Sequence, residues 1–359
     1  MVILLRSVLW GLGLFLAVAT LLPFFPGEAW WIRIFDFPRM QLAALLALVF
    51  LLCLAAFDWH QRRFWFLAGA VLACLVYQSA RMLPYTGLWP EQAVSARQGQ
   101  CSEDSRLSLM ISNVLQDNRD SQAVLDRVGE YAPDLLLLIE TNGWWAEAMA
   151  PLEEEYKEVV AQPQENKYGL LLFSRLDLIE PQVRRLVEEE VPSIHSGVRL
   201  PSGVEVVFYG LHPRPPEPKQ DTEERDAELV LVGREAREVD VPAIVAGDLN
   251  DVAWSDTTRL FQELSGLLDP RIGRSLYSSY HAQWPILRWP IDHVFFSPDF
   301  TLLRMSRLEP VGSDHFPILV ELCHQPANEG QSNSPDAEPE DQKEARETIE
   351  EGREAEKEE

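Results

Sequence analysis

Three apolar segments within the first eighty residues constrain the fold of this chain more than any other feature of its sequence. They run from Ile3 to Phe25, from Met40 to Phe57 and from Phe64 to Ala80. A helix needs about 20 residues to cross the hydrocarbon core of a bilayer, a length that the first segment has and the other two reach with their flanks. A signal peptide around Arg6 is the alternative, but it explains only the first segment. The sequence therefore predicts three transmembrane helices in residues 1–82.

The orientation of these helices depends on a nearly even distribution of positive charge. Arg6 lies at the start of the first segment, and Arg62 and Arg63 lie in the short turn between the second and third. Placing these arginines in the cytoplasm agrees with the positive-inside bias and sends the rest of the chain across the membrane. Arg33 and Arg39, in the first loop, favour the opposite arrangement. We expect the residues that follow the helices to be extracytoplasmic.

The remainder of the chain divides into a linker, one folded domain and a tail. Residues 83–104 carry Pro, Gly, Gln and Ser, whereas residues 105–324 alternate apolar strand patterns with helical patterns. Several predicted strands follow one another without a helix between them, which favours an α/β fold with antiparallel or mixed sheets. Residues 325–359 are mostly acidic and polar and bury little apolar surface, so we expect a disordered acidic tail with transient helix near its end.

The net charge excludes one class of function, and two cysteines leave a question open. With 56 acidic against 31 basic residues, the formal charge is −25. Such a chain repels polyanions, so tight binding of nucleic acid through a basic surface is not expected. Cys101 and Cys323 bracket the predicted domain. They form either a disulfide in an oxidising compartment or two free thiols, and the sequence favours neither.

Polar side chains recur at the ends of the predicted strands of the 105–324 domain. Strand ends on one rim of a sheet can bring such groups together although they are far apart in sequence. Each residue taken alone has an ordinary interpretation as a strand cap, a turn residue or a hydrogen-bonded core histidine. The set as a whole consists of groups used in hydrolysis and indicates one site: Asn113, Glu140, His212, Asp248, Asn250, Asp292, Asp314 and His315.

These residue types indicate metal-assisted attack of water on a phosphate ester. Glu140 and Asn113 offer the hard oxygen ligands that Mg²⁺ prefers, whereas a Zn²⁺ site would contain more His or Cys. Asp314 is a further candidate ligand. Asp248 suits a base that deprotonates water, and His315 suits a group that acts as a general acid or contacts phosphate. Metal, base and imidazolium together are what hydrolysis of a phosphodiester requires.

Five short motifs occur between Arg106 and Leu322 in an order that identifies a family. They are Ser112-Asn113-Val114, Leu138-Ile139-Glu140-Thr141, Gly247-Asp248-Leu249-Asn250-Asp251, Ile291-Asp292-His293 and Ser313-Asp314-His315-Phe316-Pro317. Together they resemble the endonuclease/exonuclease/phosphatase superfamily, which includes pancreatic deoxyribonuclease, abasic-site endonucleases and sphingomyelinases. The resemblance implies a four-layer α-β-β-α sandwich, in which two packed mixed β-sheets are flanked by helices and the site lies at one end of the sheets.

The resemblance also implies a role for each site residue. Glu140 is the principal ligand of Mg²⁺, with Mn²⁺ as the alternative ion, and Asn113 and Asp314 assist at the metal. Among the catalytic residues, Asp248 activates the water, and Asn250 and His315 contact the phosphate. Asp292 orients the imidazole of His315, and His212 assists at the leaving group.

The resemblance predicts a membrane-anchored, Mg²⁺-dependent hydrolase of phosphoric esters. The three apolar segments and His212-Pro213-Arg214-Pro215-Pro216 are similar to a bacterial membrane-tethered subgroup, which implies a multi-pass protein of the inner membrane. The expected substrate is a phosphodiester or phosphomonoester, and a nucleic acid, a lipid head group and a small molecule all remain open. The alternative function is a catalytically silent, membrane-anchored scaffold with the same fold. The full set of acid, base and metal-type residues favours the enzyme.

Overall fold

Three long apolar helices form the amino-terminal part of the protein. The computed structural model describes residues 2–25, 27–57, 60–96, 99, 101–218, 220–325 and 334–358. Its first helices are α1 (Val2–Leu21), α2 (Trp30–Arg33), α3 (Arg39–Ala56) and α4 (Arg62–Met82). Within the described residues, α1, α3 and α4 are long and apolar enough to cross a membrane, and they match the three predicted segments.

A chain of buried polar side chains joins the three long helices at one end of their bundle. Arg39, at the start of α3, is ion-paired with Asp36 and donates from Nη1 to Gln78 Oε1 of α4 at 3.1 Å. Gln78 Nε2 in turn donates to Thr20 Oγ1 of α1 at 3.2 Å. All four side chains are buried. Because a buried polar group left without a partner is costly, these bonds hold the three helices in one arrangement.

The folded domain contains two β-sheets. Its strands, in chain order, are β1 (Arg106–Asn113), β2 (Leu135–Ile139), β3 (Glu158–Gln162), β4 (Leu170–Ser174), β5 (Asp177–Arg184), β6 (Ser193–Arg199), β7 (Glu205–Leu211), β8 (Ala243–Asp248), β9 (Asp292–Phe296), β10 (Phe300–Arg307) and β11 (Ile318–His324). One sheet has the order β10-β11-β1-β2-β4-β3 and the other β5-β6-β7-β8-β9. Strands β1 and β2 are parallel, as are β7 and β8, and the remaining pairs are antiparallel, so both sheets are mixed.

The two sheets pack face to face and helices cover their outer faces. Leu109 and Leu137 of one sheet and Phe208 and Ile244 of the other belong to the same buried core. Helices α5 (Ser121–Tyr131) and α6 (Gly143–Met149) cover the six-stranded sheet, and α7 (Glu223–Glu238) and α8 (Asp256–Ser265) cover the five-stranded one. On the central strand β2, Leu135, Leu137 and Ile139 belong to the core between the sheets, and Leu136 and Leu138 to the core under the helices. The four-layer α-β-β-α sandwich is therefore confirmed.

The tail contains a helix that packs on the domain, whereas the sequence predicted disorder with only transient helix near the end of residues 325–359. Helix α9 (Pro339–Glu358) packs on α7 and buries Ala345 and Ile349 among apolar residues of α7 and α8. Gly352 faces α7 so closely that a Cβ there would lie 2.5 Å from Ala227 Cβ. These positions are spaced by four and three residues, which is one face of a helix. The tail is polar on average, so its composition does not reveal this narrow apolar stripe. Residues 326–333 lie outside the described part of the chain.

A disulfide joins the two ends of the domain. Cys101 and Cys323 are bonded across 222 residues of sequence, with their Cα atoms 5.9 Å apart. Cys323 lies on β11, opposite Arg106 of the neighbouring strand β1. Of the two alternatives that the sequence left open, the structure contains the disulfide.

The domain is in direct contact with one end of the helix bundle. Trp254 Nε1 donates to the carbonyl oxygen of Asp36 at 2.7 Å, and Arg81 Nη2 donates to Asp256 Oδ1 at 2.8 Å. The hydroxyl of Tyr85 donates to the carbonyl oxygen of Ala253. These contacts come from the loop between α1 and α3 and from the end of α4. They place the domain next to the bundle end at which α3 begins.

Candidate active site

The predicted site residues lie on one rim of the sandwich. The parallel pair β1 and β2 ends at this rim, so Glu140, the residue after β2, lies beside Asn113, the last residue of β1. The parallel pair β7 and β8 ends there too, with His212 following β7 and Asp248 closing β8. Asp292 begins the antiparallel strand β9 directly opposite Asp248. Parallel strands end at the same edge, which explains how distant residues meet.

Several backbone positions on this rim have unusual conformations. Glu140 and Asn250 have φ angles of 60° and 52°, in the left-handed region that residues other than glycine adopt infrequently. Gly247 has a φ of 151°, and a Cβ there would lie 1.9 Å from the carbonyl oxygen of Leu211. Only glycine fits this close approach of β8 to β7. The approach brings Asp248 and His212, the residues that follow, together.

Asn113 connects carboxylates from the two sheets. Its Nδ2 donates to Glu140 Oε1 at 2.9 Å and to Asp248 Oδ2 at 3.1 Å. Its Oδ1 accepts the backbone N–H of Leu115 at 3.0 Å. Because a backbone N–H can only donate, this last bond fixes the orientation of the amide. Asn113 therefore presents its nitrogen, and not its oxygen, to the carboxylates.

A buried carboxylate–imidazole pair lies next to Asp248. Asp292 Oδ2 is 2.7 Å from His315 Nδ1, and His315 Nε2 is 3.6 Å from Asp248 Oδ2. Burial acts to lower the pKa of His315, but the carboxylates of Asp292 and Asp248 outweigh it and raise that pKa to about 10. Burial and then the charge of Asp292 raise the pKa of Asp248 to about 7. The site thus combines an imidazolium with a carboxyl group that titrates near neutrality.

His212 and Asn250 complete the surroundings of Asp248. His212 Nε2 lies 4.0 Å from Asp248 Oδ2, while its buried Nδ1 has no hydrogen-bond partner among the described residues. Burial, reinforced by the nearby His315, lowers the pKa of His212 to about 3, so this imidazole is neutral. The backbone N–H of Asn250 donates to Asp248 Oδ1 at 3.0 Å, and Asn250 Nδ2 donates to the carbonyl oxygen of Pro213 at 2.9 Å.

A cavity of about 480 Å³ opens over these groups. Asn113 and Asp292 are buried beneath it. The cavity is lined by the other predicted residues, namely Glu140, His212, Asp248, Asn250, Asp314 and His315. The predicted site residues therefore surround one cavity, and each of them lies in the wall of the cavity or directly behind that wall.

Sequence reasoning did not assign some residues that line the same cavity. The ring of Tyr280 lies 4.9 Å from that of His315, and Lys167 contributes a positive charge. Ile34 and Phe37 come from the loop between α1 and α3, more than a hundred residues before Glu140. No motif marks these four positions. Their approach to the site depends on how the domain packs on the helix bundle.

The donor set fits a hard divalent cation. Glu140, Asp248 and Asp314 line one cavity, and carboxylate oxygens of Asp248 and Asp292 lie within 4.8 Å of each other. Asp292 Oδ1 is buried and has no hydrogen-bond partner in the described part of the chain. Several carboxylates in a buried space are costly unless protons or a cation balance their charge. Oxygen-rich sites of this kind suit Mg²⁺ or Mn²⁺.

Comparisons with known proteins agree with this geometry. The profile of the Endonuclease/Exonuclease/phosphatase family matches residues 107–315. A UPF0294 protein of Vibrio cholerae serotype O1 is 27% identical over 235 residues, which cover 60% of this chain and 78% of the relative. The chain thus resembles a bacterial protein over most of that protein's length.

Solved structures with the same fold include proteins from animals and bacteria. The D. rerio TDP2 structure with a single-strand DNA product has a TM-score of 0.51 and 18% identity, covering 61% of this chain and 99% of that one. An endonuclease/exonuclease/phosphatase from Beutenbergia cavernae DSM 12333 has a TM-score of 0.50 and 19% identity, covering 62% and 72%. At these identities the likeness shows the fold alone. Together with the profile match over more than half of the chain, it shows that the protein belongs to the endonuclease/exonuclease/phosphatase family, whose members are phosphoric-ester hydrolases.

Proposed function

We propose that this protein is a Mg²⁺-dependent hydrolase of phosphoric esters, anchored in a bacterial inner membrane with its active site outside the cytoplasm. The observation that carries the proposal is the juxtaposition of Asp248 with the His315 imidazolium and the Asn113–Glu140 pair in one cavity. A base, a cationic hydrogen-bond donor and a carboxylate for a metal are the groups that attack of water on a phosphate ester needs.

Glu140 and Asp314 are the residues that would hold the ion. When bound, Mg²⁺ or Mn²⁺ neutralises charge on the phosphate and polarises its oxygens. Asn113 was predicted to help hold the metal. Its amide nitrogen points at Glu140 Oε1, so we assign it to orienting that carboxylate. The Oε2 atom of Glu140 accepts a weaker bond from the backbone N–H of Gln116 at 3.3 Å, which leaves lone pairs for a ligand.

Asp248 is the base in this proposal. A pKa near 7 lets its carboxylate accept a proton from water at neutral pH and still be regenerated. Asn250 holds Oδ1 through its backbone N–H, which fixes the direction of the group. As the new bond from water to phosphorus forms and the ester bond breaks, Asp248 takes the proton of the attacking water, and the ester oxygen leaves with the bonding electron pair and is protonated by solvent.

The two histidines have different roles because their charges differ. Asp292 keeps His315 protonated and oriented, so its Nε2–H can donate to a phosphate oxygen that gains charge in the transition state. His212 is neutral, and it would donate a hydrogen bond to the leaving oxygen without carrying a charge. Asn250 Nδ2 is held by the carbonyl oxygen of Pro213, so contact of this amide with phosphate would require that bond to change.

The proposed orientation is supported by how the arginines are paired. At the bundle end that carries the domain, Arg33 forms an ion pair with Glu28 at 2.6 Å and Arg39 forms one with Asp36. Arginines whose charge is balanced by an ion pair contribute little to the positive-inside bias. The exposed arginines at positions 62 and 63, at the opposite end of the bundle, therefore favour placing that end in the cytoplasm. The disulfide also fits an oxidising compartment. A phosphatase reporter fused after residue 325 should be active, and an inactive, cytoplasmic reporter would contradict the orientation.

Hydrolysis of simple esters tests the proposed activity. Purified full-length protein should cleave bis-p-nitrophenyl phosphate with Mg²⁺, and EDTA should abolish the reaction. Asp248→Asn should lose at least about 100-fold in turnover because it removes the base, with an unchanged circular dichroism spectrum. Asp240→Asn, at an exposed aspartate of the same domain, is the matched control and should retain activity. If neither this ester, plasmid DNA nor phospholipid is cleaved in an EDTA-sensitive way, the scaffold alternative is favoured.

A further inference from the structure

A hairpin beside the active site ends in exposed apolar residues. The backbone N–H of Tyr280 donates to the carbonyl oxygen of Trp289 at 3.0 Å, and that of His281 donates to Leu287 at 3.1 Å. The turn is closed by the N–H of Leu287, which donates to Trp284 at 3.1 Å. At the tip of this 280–289 hairpin, Trp284 is 61% exposed and Ile286 is 80% exposed. Apolar side chains gathered at a tip in this way mark a surface that contacts something apolar.

The tip lies beside the start of a candidate transmembrane helix. Gln41 Nε2 donates to the carbonyl oxygen of Ile286 at 2.6 Å. Gln41 belongs to the first turn of α3, whose span Arg39–Ala56 is long and apolar enough to cross a membrane. One turn further along the same helix, Leu45 is exposed towards the surroundings. With α3 spanning the membrane as proposed, the hairpin tip would lie level with the bilayer interface, where tryptophan is favoured.

The base of the hairpin forms a wall of the active site. Tyr280 and Trp289 stack with ring centroids 5.9 Å apart, and Tyr280 lies 4.9 Å from the ring of His315. Trp289 in turn packs edge to face on Phe37, with centroids 5.8 Å apart, and Phe37 belongs to the loop between two transmembrane helices. An aromatic wall thus runs from the proposed catalytic imidazole to the membrane-proximal loop.

The cavity has two chemically different sides. Ile34, Phe37 and Trp289 supply apolar surface on the side of the helix bundle, whereas Glu140 and Lys167 supply charge. A ligand with one apolar and one phosphorylated part would match both sides. A small, fully polar ester would leave the apolar side in contact with water.

We propose that the 280–289 hairpin inserts its tip into the membrane leaflet next to the domain, and that the site hydrolyses the head-group phosphate ester of a lipid lying in that leaflet. This inference rests on the proposed hydrolase function. The helix bundle and the hairpin hold the cavity at head-group level, so the phosphate reaches Asp248 and His315 while the acyl chains stay in the bilayer. The aromatic wall guides the glycerol end of the lipid between the two.

Two substrates presented to the same protein test this inference. Full-length protein would be reconstituted in vesicles of phosphatidylcholine with phosphatidylethanolamine, phosphatidylglycerol and cardiolipin, and also assayed with soluble bis-p-nitrophenyl phosphate. Ile286→Asp should lower phospholipid hydrolysis at least about 10-fold because a charge replaces an inserted apolar group, while the soluble ester is cleaved at the normal rate. Val241→Asp, at a 37% exposed valine of the domain, is the control and should change neither rate.

Insertion itself has an independent readout. Brominated acyl chains quench tryptophan fluorescence at short range, so Trp284→Phe should reduce the quenched fraction of the reconstituted protein relative to wild type. Equal quenching in the two proteins would overturn the insertion.

Cleavage of the soluble ester with no cleavage of any of the four phospholipids would overturn the lipid substrate and leave the hydrolase function intact. Equal losses on both substrates in Ile286→Asp would show a structural defect and also contradict the inference. Absence of cleavage of every substrate would instead refute the proposed function itself.

Discussion

The disulfide makes a quantitative prediction about the stability of the domain. It closes a loop between residues 222 positions apart, and the chain-entropy relation for a loop of that length gives about 5 kcal/mol of stabilisation. This value is an upper limit, because the unfolded state retains structure and disulfides that close long loops stabilise proteins less than the relation predicts. Cys101→Ala removes the bond and leaves Cys323 as a small buried thiol on β11. We expect a loss of about 3–5 kcal/mol in the free energy of unfolding of the domain.

Urea unfolding of the full-length protein in detergent, followed by far-ultraviolet circular dichroism, measures this loss. Tris(2-carboxyethyl)phosphine should lower the urea midpoint of wild type to that of Cys101→Ala and should leave the variant unchanged. Ser102→Ala, next to the bonded cysteine, controls for a local change in the exposed linker. If Cys101→Ala and wild type unfold at the same urea concentration under oxidising conditions, the disulfide does not constrain the domain as argued.

Three further predictions concern separate regions. Glu140→Gln should weaken Mg²⁺ binding in calorimetry about 10- to 100-fold while exposed Glu147→Gln does not, and unchanged affinity would exclude Glu140 as a ligand. His195 is buried beside Arg184, and burial, together with the charge of Arg184, lowers the pKa of His195 to about 4. As the pH falls below about 6.5, this histidine therefore takes up a proton in the unfolded state but not in the folded state. Stability should therefore rise by up to about 3 kcal/mol between pH 4 and 6.5, and His195→Gln should flatten that slope in urea titrations. Ile349→Asp should lower the melting temperature by releasing α9, and an unchanged value would mean that α9 contributes no stability.

The sequence predicted strands at 107–112, 134–139, 169–173, 204–210, 243–246, 294–296 and 316–322, which correspond to β1, β2, β4, β7, β8, β9 and β11. β2 consists of Leu and Ile, and β4 of Leu, Phe and one Ser; both are fully buried, so their apolar runs were unambiguous. β3, β5 and β10 were not predicted. All three are edge strands, and β3 and β5 have mostly exposed or half-exposed residues. β6 was missed for a different reason. It buries serine and histidine side chains that bond to each other and to Arg184 of β5, and the sequence pattern does not show these bonds.

The site could be predicted where residues of catalytic or metal-binding type lie at strand ends. Parallel pairing alone places Asn113 beside Glu140 and His212 beside Asp248. The five family motifs contain Asn113, Glu140 and Asp248, whereas His212 was identified from its place after a predicted strand. The apolar side of the cavity could not be predicted in the same way. Ile34 reaches the site only because the domain docks on the helix bundle, and such packing has no signature in the spacing of residues.

In the proposed membrane-anchored arrangement, the buried chain Thr20–Gln78–Arg39 would determine how the protein responds to the thickness of the bilayer. No one of the three helices could then slide or turn by itself without leaving a polar group in hydrocarbon, so the bundle and the attached domain would move as one body. A thicker or thinner bilayer would then raise or sink the cavity relative to the lipid phosphates instead of deforming it. We expect turnover in vesicles to pass through a maximum as acyl-chain length increases, and Gln78→Leu to broaden that maximum by freeing the helices to tilt separately.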